Sequence, residues 1–277
     1  CCTPAAIAAG VQHRSEELQH DYDPNSNRDN FIFLVGSPDF RDERNVNALF
    51  AELALPISDT VNLQLAARHE DYGEIDSTDP KATVLWQPTD GLSFRGSIGT
   101  SFRAPSLYQS FGTQTTLTEL VDPNVGAPQF FPVRSQPNPS GEPLQPEEAD
   151  VFDVGVTWFA GDALEINLDY WSFDYTDVII EQNAQAILNA AAGGDLQARS
   201  QVIRDPGSGL LLRVDAYFAN ASALETDGLD FRVAYDVPAS GPSTYRVGLE
   251  STLVMSYDID DPQAGRIDGA GRRNFAN

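Results

Sequence analysis

Catalysis needs nucleophiles, bases or metal ligands at workable spacings, and this chain offers few. Its three histidines, His13, His20 and His69, fall on or beside strand-like segments, with no His-x-x-x-His or Cys spacing to complete a metal site. Thr100-Ser101 lies inside a strand-like stretch rather than in a G-x-S-x-G elbow, and there is no P-loop. Cys1 and Cys2 are adjacent, so they pair with each other only through a strained ring. Asp21-Tyr22-Asp23-Pro24-Asn25-Ser26-Asn27 opens like a calcium loop, but Ser26 replaces the turn glycine and Ile32 the bidentate glutamate. Asp258, Asp260 and Asp261 form a similar acidic loop. The expectation is no enzyme, no cofactor and no resident metal.

Residues suited to binding concentrate between 104 and 146. This stretch carries the aromatics Tyr108, Phe111, Phe130 and Phe131, the cation Arg134, and seven prolines between positions 123 and 146. A connection of that length exceeds structural need, and proline stiffening lowers the entropy cost of closing over a ligand. It is expected to form part of a ligand-contacting lid; the competing reading is a passive surface loop. Segment 176–210 holds Gln185 to Ala192 ahead of Gly193-Gly194, a short helix with a glycine stop.

Charge narrows the partners. The 277 residues include 41 acidic and 17 basic side chains, a formal charge of −24, with a pI near 4.2. Phosphate affinity needs clustered Lys and Arg, so nucleic acid is excluded as a partner. Hydrophobic residues at 41% suffice for one or two ordered domains. No apolar run reaches the length of a transmembrane helix. The start of the chain shows no initiating Met and no secretory signal, which suggests an internal piece of a longer protein.

The elements that must position these residues are written with period 2. Val61, Leu63, Leu65 and Ala67 alternate with Asn62, Gln64, Ala66 and Arg68. Leu92, Phe94, Gly96 and Ile98 alternate with Ser93, Arg95, Ser97 and Gly99; Leu164 to Tyr170, Leu229 to Asp236 and Tyr245 to Tyr257 repeat the pattern. Strand side chains alternate faces, so each segment has one oily and one wet face. This predicts nine strands, at about 5–18, 46–56, 61–72, 81–88, 92–103, 147–159, 163–175, 211–237 and 245–258, with a break in the eighth near Asn220 to Ser222. Short connections with turn residues (57–60, 89–91, 160–162 and 238–244, the last with Pro238 and Gly241) alternate with longer ones (19–45, 73–80, 104–146, 176–210). All short turns then lie at one end of an up-and-down sheet.

Both a soluble sandwich and a membrane barrel write period 2. Strand lengths well above the usual mode of about 5–6 residues, and the asymmetry of the two ends, favour an outer-membrane barrel. Tyr245 and Tyr257, read as bracketing one oily face, lie roughly 40 Å apart along the strand at about 3.3 Å per residue. Tilted by about 40°, that projects to roughly 30 Å, near the separation of two aromatic girdles. The wet faces carry both signs, such as Arg68 with Glu70 and Arg246 with Glu250, as expected of a charged lumen.

The segment Leu92 to Ser106, ending Phe102-Arg103-Ala104-Pro105, resembles the mid-barrel signature of TonB-dependent outer-membrane receptors, and Leu107 to Phe111 resembles the segment that succeeds it in that family. Leu144-Gln145-Pro146-Glu147-Glu148 with Phe152-Asp153-Val154-Gly155 is similar to the family's next strand opening. Asn167 to Tyr170 with Asp177-Val178-Ile179, Glu225 to Asp230, and Ala9 to Glu17 fit in the family's order. The plug domain, the TonB-contacting box and a terminal aromatic strand are not visible, the chain closing on Asn274-Phe275-Ala276-Asn277. Residues 1–277 are therefore expected to form a partial antiparallel up-and-down transmembrane β-barrel of an all-β class, with extracellular loops at about 19–45, 104–146 and 176–210. The resemblance implies location in the outer membrane of a Gram-negative bacterium, with lipid, TonB, the plug and a small-molecule ligand as partners. It also implies active uptake of a siderophore, cobalamin or oligosaccharide, which this piece alone is not expected to perform. The alternatives are a soluble or surface β-sheet module for adhesion or carbohydrate binding, and a passive porin.

Overall fold

A computed structural model describes residues 4–28, 30, 36–139, 143–238, 244–261 and 265–271. Cys1, Cys2, Ile32, Gly241 and residues 274–277 lie outside them. In chain order the first elements are β1 (Ala6–His20), α1 (Pro24–Asn27), β2 (Phe40–Pro56), β3 (Val61–Asp71), β4 (Asp76–Thr89) and β5 (Leu92–Arg103). Next come α2 (Leu107–Phe111), β6 (Gln114–Val121), β7 (Pro128–Gln136), β8 (Glu147–Ala160) and β9 (Leu164–Glu181). The chain continues through α3 (Ala184–Gly193), α4 (Leu196–Gln201), β10 (Val202–Arg204), β11 (Leu211–Val237), β12 (Tyr245–Asp261) and β13 (Gly265–Asp268).

One lateral path, β1-β2-β3-β4-β5-β8-β9-β11-β12-β13, forms the wall, and every pairing along it is antiparallel. Nine of its strands are the nine expected from alternation. Among the described residues β1 pairs only with β2 and β13 only with β12, so the sheet is an open, partial barrel.

Register explains why the alternation was legible. Across the wall, Leu55, Leu63, Val84, Gly96, Val154, Tyr170, Leu229 and Leu253 stand side by side in one row. Toward the short turns the next row on the same face is Val61, Trp86, Phe94, Val156, Leu168, Phe231 and Ser251. A slip of one residue at any strand would turn its oily set to the polar face. Many of these side chains are exposed to the outside, including Val84, Trp86, Phe94, Ile98, Val154, Trp158 and Leu249. Lying on one face of the wall, they form an outward apolar surface, which marks a contact with lipid or a partner rather than with bulk water.

Three expectations are corrected. The nine-strand reading placed no element in loop 104–146, which contains α2 and the β6–β7 hairpin. The 73–80 connection shrinks to four residues, 72–75, because β4 begins at Asp76 and pairs with β3 from there. Tyr257 does not share a face with Tyr245. The pairing shifts between Asp227 and Gly228, Met255 is left over as a bulge, and Tyr257 comes opposite Thr226, on the same row as Phe173 of the polar face. Gly228 is required at this bulge, since a Cβ there would lie 2.6 Å from the Leu253 carbonyl oxygen and collide with the Trp171 ring.

The wall has no interior, and the hydrophobic core lies elsewhere. Leu120 of β6, Val133 of β7, Val214 and Ala216 of β11, Ile187 and Leu188 of α3 and Ala198 of α4 pack into one buried cluster above the long-loop end. β11 makes this possible by running 27 residues. Its lower part is in the wall, register shifts at Asn220–Ser222 and Ser222–Leu224 bend it, and Val214 to Tyr217 then pair in parallel with β7. Asn183 caps α3, and Gly194, at φ 102°, ends it as expected. Leu188→Ala is expected to cost about 2–5 kcal/mol of local stability. Hydrogen exchange should rise in 114–136 and 184–216 while strands β2 to β5 keep their protection.

Candidate functional site at the long-loop end

Two polar networks line the inner face, and the upper one meets the loops. Arg14 of β1 donates from Nε to Glu16 at 2.8 Å and from its two Nη atoms to Glu70 of β3 at 3.2 and 3.1 Å. Arg68 donates from Nε to the same Glu70 carboxylate at 2.7 Å. Arg44 of β2 donates to Glu16 at 2.7 Å and, through Nη1, to the Pro105 carbonyl oxygen at 2.5 Å. Tyr72, just past β3, donates its hydroxyl to Glu70 at 2.6 Å, and its ring lies under the Arg44 and Arg14 guanidinium groups at 4.9 and 5.5 Å. Burial, with the Glu70 carboxylate beside it, pushes the Tyr72 phenol up to about 12, so it remains a hydrogen-bond donor at neutral pH. These residues come from i, i+2 positions on three strands, which is how period 2 brings like-facing charges together.

The lower network joins side chains from four strands of the wall, β5, β8, β9 and β12. Arg95 of β5 contacts Asp169 of β9 across β8 and donates to Thr157 at 2.8 Å. Thr157 donates to Asn167 at 2.6 Å, Asn167 to Glu165 at 2.9 Å, and Glu165 receives Arg246 of β12. The strand crossed offers Gly155 at the crossing point, where any Cβ would strike the Asp169 carboxylate and Arg95.

The signature residues hold the loop's starting point. Arg103 grips Glu147 at the opening of β8 with two hydrogen bonds of 2.5 Å, and Glu147 also accepts from the Ile179 backbone N–H at 2.8 Å. Phe102 packs edge-on against Tyr72 at 6.0 Å. Ala104 leads to Pro105, which is buried and receives Arg44, so strand termination is joined to the upper network. Beyond it a cleft of about 690 Å³ opens between the top of β2, the 72–75 turn, α2 and residues Pro137, Asn138, Pro143 and Leu144.

The aromatic and basic residues picked out in 104–146 are not brought together into one pocket. Phe111 is exposed and lines the cleft. Tyr108, on the same α2, packs between Phe40 and Phe218 at 6.1 and 5.8 Å, and its hydroxyl donates to Gln114. Phe130 sits on the hairpin with 68% of its surface exposed. Phe131 packs against the loop core. Arg134 ties β7 to Thr115 at 3.1 Å and to the Gly36 carbonyl oxygen at 3.3 Å. Sequence reasoning missed Arg14, Glu16, Arg44 and Tyr72, although the R-x-E pairs at 14–16 and 68–70 were a readable signal.

The three histidines take separate partners. His13 contacts Asn47, His20 contacts Tyr22, and His69 contacts Thr78, each a single polar neighbour. Among the described residues no group of three or more His, Cys, Asp or Glu side chains could hold a metal ion. Asp23 of the calcium-like segment caps α1. Among the described residues no helix is long and apolar enough to cross a membrane.

Residues 5–275 match the family model described as TonB dependent receptor-like, beta-barrel. The chain belongs to this family. Among solved structures it is similar to the siderophore receptor PirA from Pseudomonas aeruginosa, at TM-score 0.58 and 18% identity, over 92% of this chain and 41% of that one. A crystal structure of the ferric enterobactin receptor PfeA from the same organism, a mutant in complex with enterobactin, gives TM-score 0.65 and 14% identity over 95% and 38%. The FrpB iron transporter from Neisseria meningitidis gives 0.53 and 15% over 90% and 33%. At these identities the likeness is one of fold, and this TonB-dependent receptor chain spans about two fifths of the length of the receptors it resembles. No curated protein matches it. The family and these neighbours are transport receptors of the outer membrane rather than enzymes.

The loop cluster yields a pH prediction. Asp122 is 1% exposed, and Arg204 donates two hydrogen bonds of 2.7 Å to it. Arg204 therefore holds the Asp122 carboxyl below its ordinary value. A depressed folded-state value stabilises above the unfolded one, near 3.9, and is lost as pH falls through the folded one. Proteolytic nicking at the 122–126 turn is expected to appear only in acid for the native chain. It should appear already at neutral pH for Arg204→Ala, which strands a buried carboxylate at a cost on the order of 3 kcal/mol.

Proposed function

We propose that this chain is part of the wall and extracellular mouth of an outer-membrane receptor in a Gram-negative bacterium, taking up a small-molecule ligand by TonB-driven transport. The observation that carries the reading is the conjunction of the family match with an outward apolar face whose opposite side is charged and hydrogen-bonded. A backbone can cross lipid in such a sheet only once every edge is paired, so the edges of β1 and of β12 with β13 join further strands in the working barrel. Lipid, TonB, a plug and a ligand of the siderophore, cobalamin or oligosaccharide type are its proposed partners, and this piece alone does not transport. The loop cluster serves as part of the lid. Within it Phe111 and Phe130 present open rings to a ligand, while Tyr108, Phe131 and Arg134 hold the lid's shape, with Phe102, Arg103, Ala104 and Pro105 anchoring it to the wall.

In the intact receptor, Val154→Arg on the outward face is expected to lower the stability of the membrane-folded state by about 2–4 kcal/mol. Ser97→Arg, on the inner face of the neighbouring strand, should leave it within about 0.5 kcal/mol. Equal effects would support a water-soluble sheet. Ligand accumulation should stop when the inner-membrane proton gradient is dissipated; accumulation that continues would support a passive porin. Alanine at Phe111 and Phe130 should weaken ligand affinity, and unchanged affinity and uptake would remove these rings from the site.

A further inference from the structure

The cleft at the top of β2 has a charge arrangement that selects its occupant. We propose that it is a ligand subsite for a neutral or positively charged small molecule with an apolar or ring face, and that it turns anions away; this rests on the receptor reading above and narrows it. Its volume of about 690 Å³ falls in the range of small-molecule sites. Its walls combine apolar residues, Ile75, Pro105, Phe111, Pro143 and Leu144, with the polar Asn45, Gln109 and Ser110.

The one cation on its lining among the described residues, Arg44, is already committed. Its Nε is held by Glu16, its Nη1 by the Pro105 carbonyl oxygen, and its plane by the Tyr72 ring. Behind it Arg14 and Arg68 are occupied by Glu16 and Glu70. An anion entering the cleft would have to compete with these contacts, and freeing Arg44 would release the start of the long loop. Glu43 and Glu74, in contrast, lie on the lining without an ion-pair partner among the described residues. Asp42, Asp71 and Asp76 stand within three residues of them in the chain, also without one. A cation gains from this field and an anion loses, most strongly at low ionic strength because both carboxylates are exposed.

The test places a reporter in the cleft of the intact receptor in outer-membrane vesicles. Ser110, on the lining, is changed by Ser110→Cys in a Cys1→Ser/Cys2→Ser background. Its modification is timed with a trimethylammonium methanethiosulfonate and with a sulfonate methanethiosulfonate, each normalised to its rate with free cysteine. The cationic reagent should react about tenfold faster at low ionic strength. The preference should shrink with added salt and reverse in Glu43→Lys/Glu74→Lys. A ratio near one, or in favour of the anionic reagent, overturns the proposal. Protection of the same cysteine is then measured with a cationic ferric trihydroxamate, a neutral oligosaccharide and an anionic ferric tris-catecholate. Protection by either of the first two supports the subsite. Protection by the tris-catecholate instead overturns the charge selection, and protection by none overturns the subsite. The receptor reading is judged separately, by the energy dependence of accumulation, so its failure would be distinct from either.

Discussion

Lateral hydrogen bonding between neighbouring strands carries this architecture, because a wall one residue thick has no interior in which to bury side chains against one another. Each backbone N–H and C=O must find its partner in the next strand, and the register of each pair decides which side chains face out. The rows running from Leu55 to Leu253 and from Val61 to Ser251 show that this register is kept over eight and seven consecutive positions of the wall. The same constraint places the charges. With one face given to apolar residues, Arg14, Glu16, Arg68 and Glu70 have only the other face left, and they meet there.

Specificity of the inner face comes from small departures in that regular lattice. Gly155 removes one side chain so that Arg95 and Asp169 can join across β8, and Gly228 with the Met255 bulge lets Trp171 lie over β11. Trp171, Phe173 and Tyr175 succeed one another on the same face, with neighbouring rings 5.9 Å apart. At the upper rim, Arg44 connects the lattice to the loops through a single backbone carbonyl. The loops themselves are organised as a globular protein would be, with helices on a small sheet around a buried cluster.

The nine wall strands were legible because lipid-facing and lumen-facing demands both enforce period 2, and the residues Leu92 to Ile98 or Leu229 to Tyr235 have no other way to satisfy them. β6 and β7 were not legible. Gln114-Thr115-Thr116-Leu117 has no oily alternation, and Pro128 and Pro132 argue against a strand unless its pairing partners tolerate missing donors. The start of β4 at Asp76 was hidden for a related reason: Asp76 to Pro80 is polar on both faces. Tyr257 misled because a bulge is invisible to a periodicity that assumes none. The signature residues Arg103 and Pro105 were found through resemblance, but what they touch, Glu147 and Arg44, depends on non-local pairing that no local pattern encodes. The cleft is hidden in the same way, since its walls come from four separate parts of the chain.

Among the described elements, β11 is the one that pairs in the wall and also packs into the loop core. At about 3.3 Å per residue its 27 residues have a contour length of roughly 90 Å, well beyond the tilted path across an apolar band of about 25 Å. The loop cluster is thus cantilevered from a beam set into the wall. A parallel seam with β7 and the packing of α3 hold the free end, and the register shifts between Asn220 and Leu224 mark where the strand bends away from the regular wall. Beside that point Asn220 donates from its side-chain amide to the carbonyl oxygens of Gln145 and Asp177, one of several ties between cluster and wall together with Arg44 to Pro105 and Ser135 to Glu181. The loop cluster is therefore built as one packed arm on the wall rather than as a set of separate flaps.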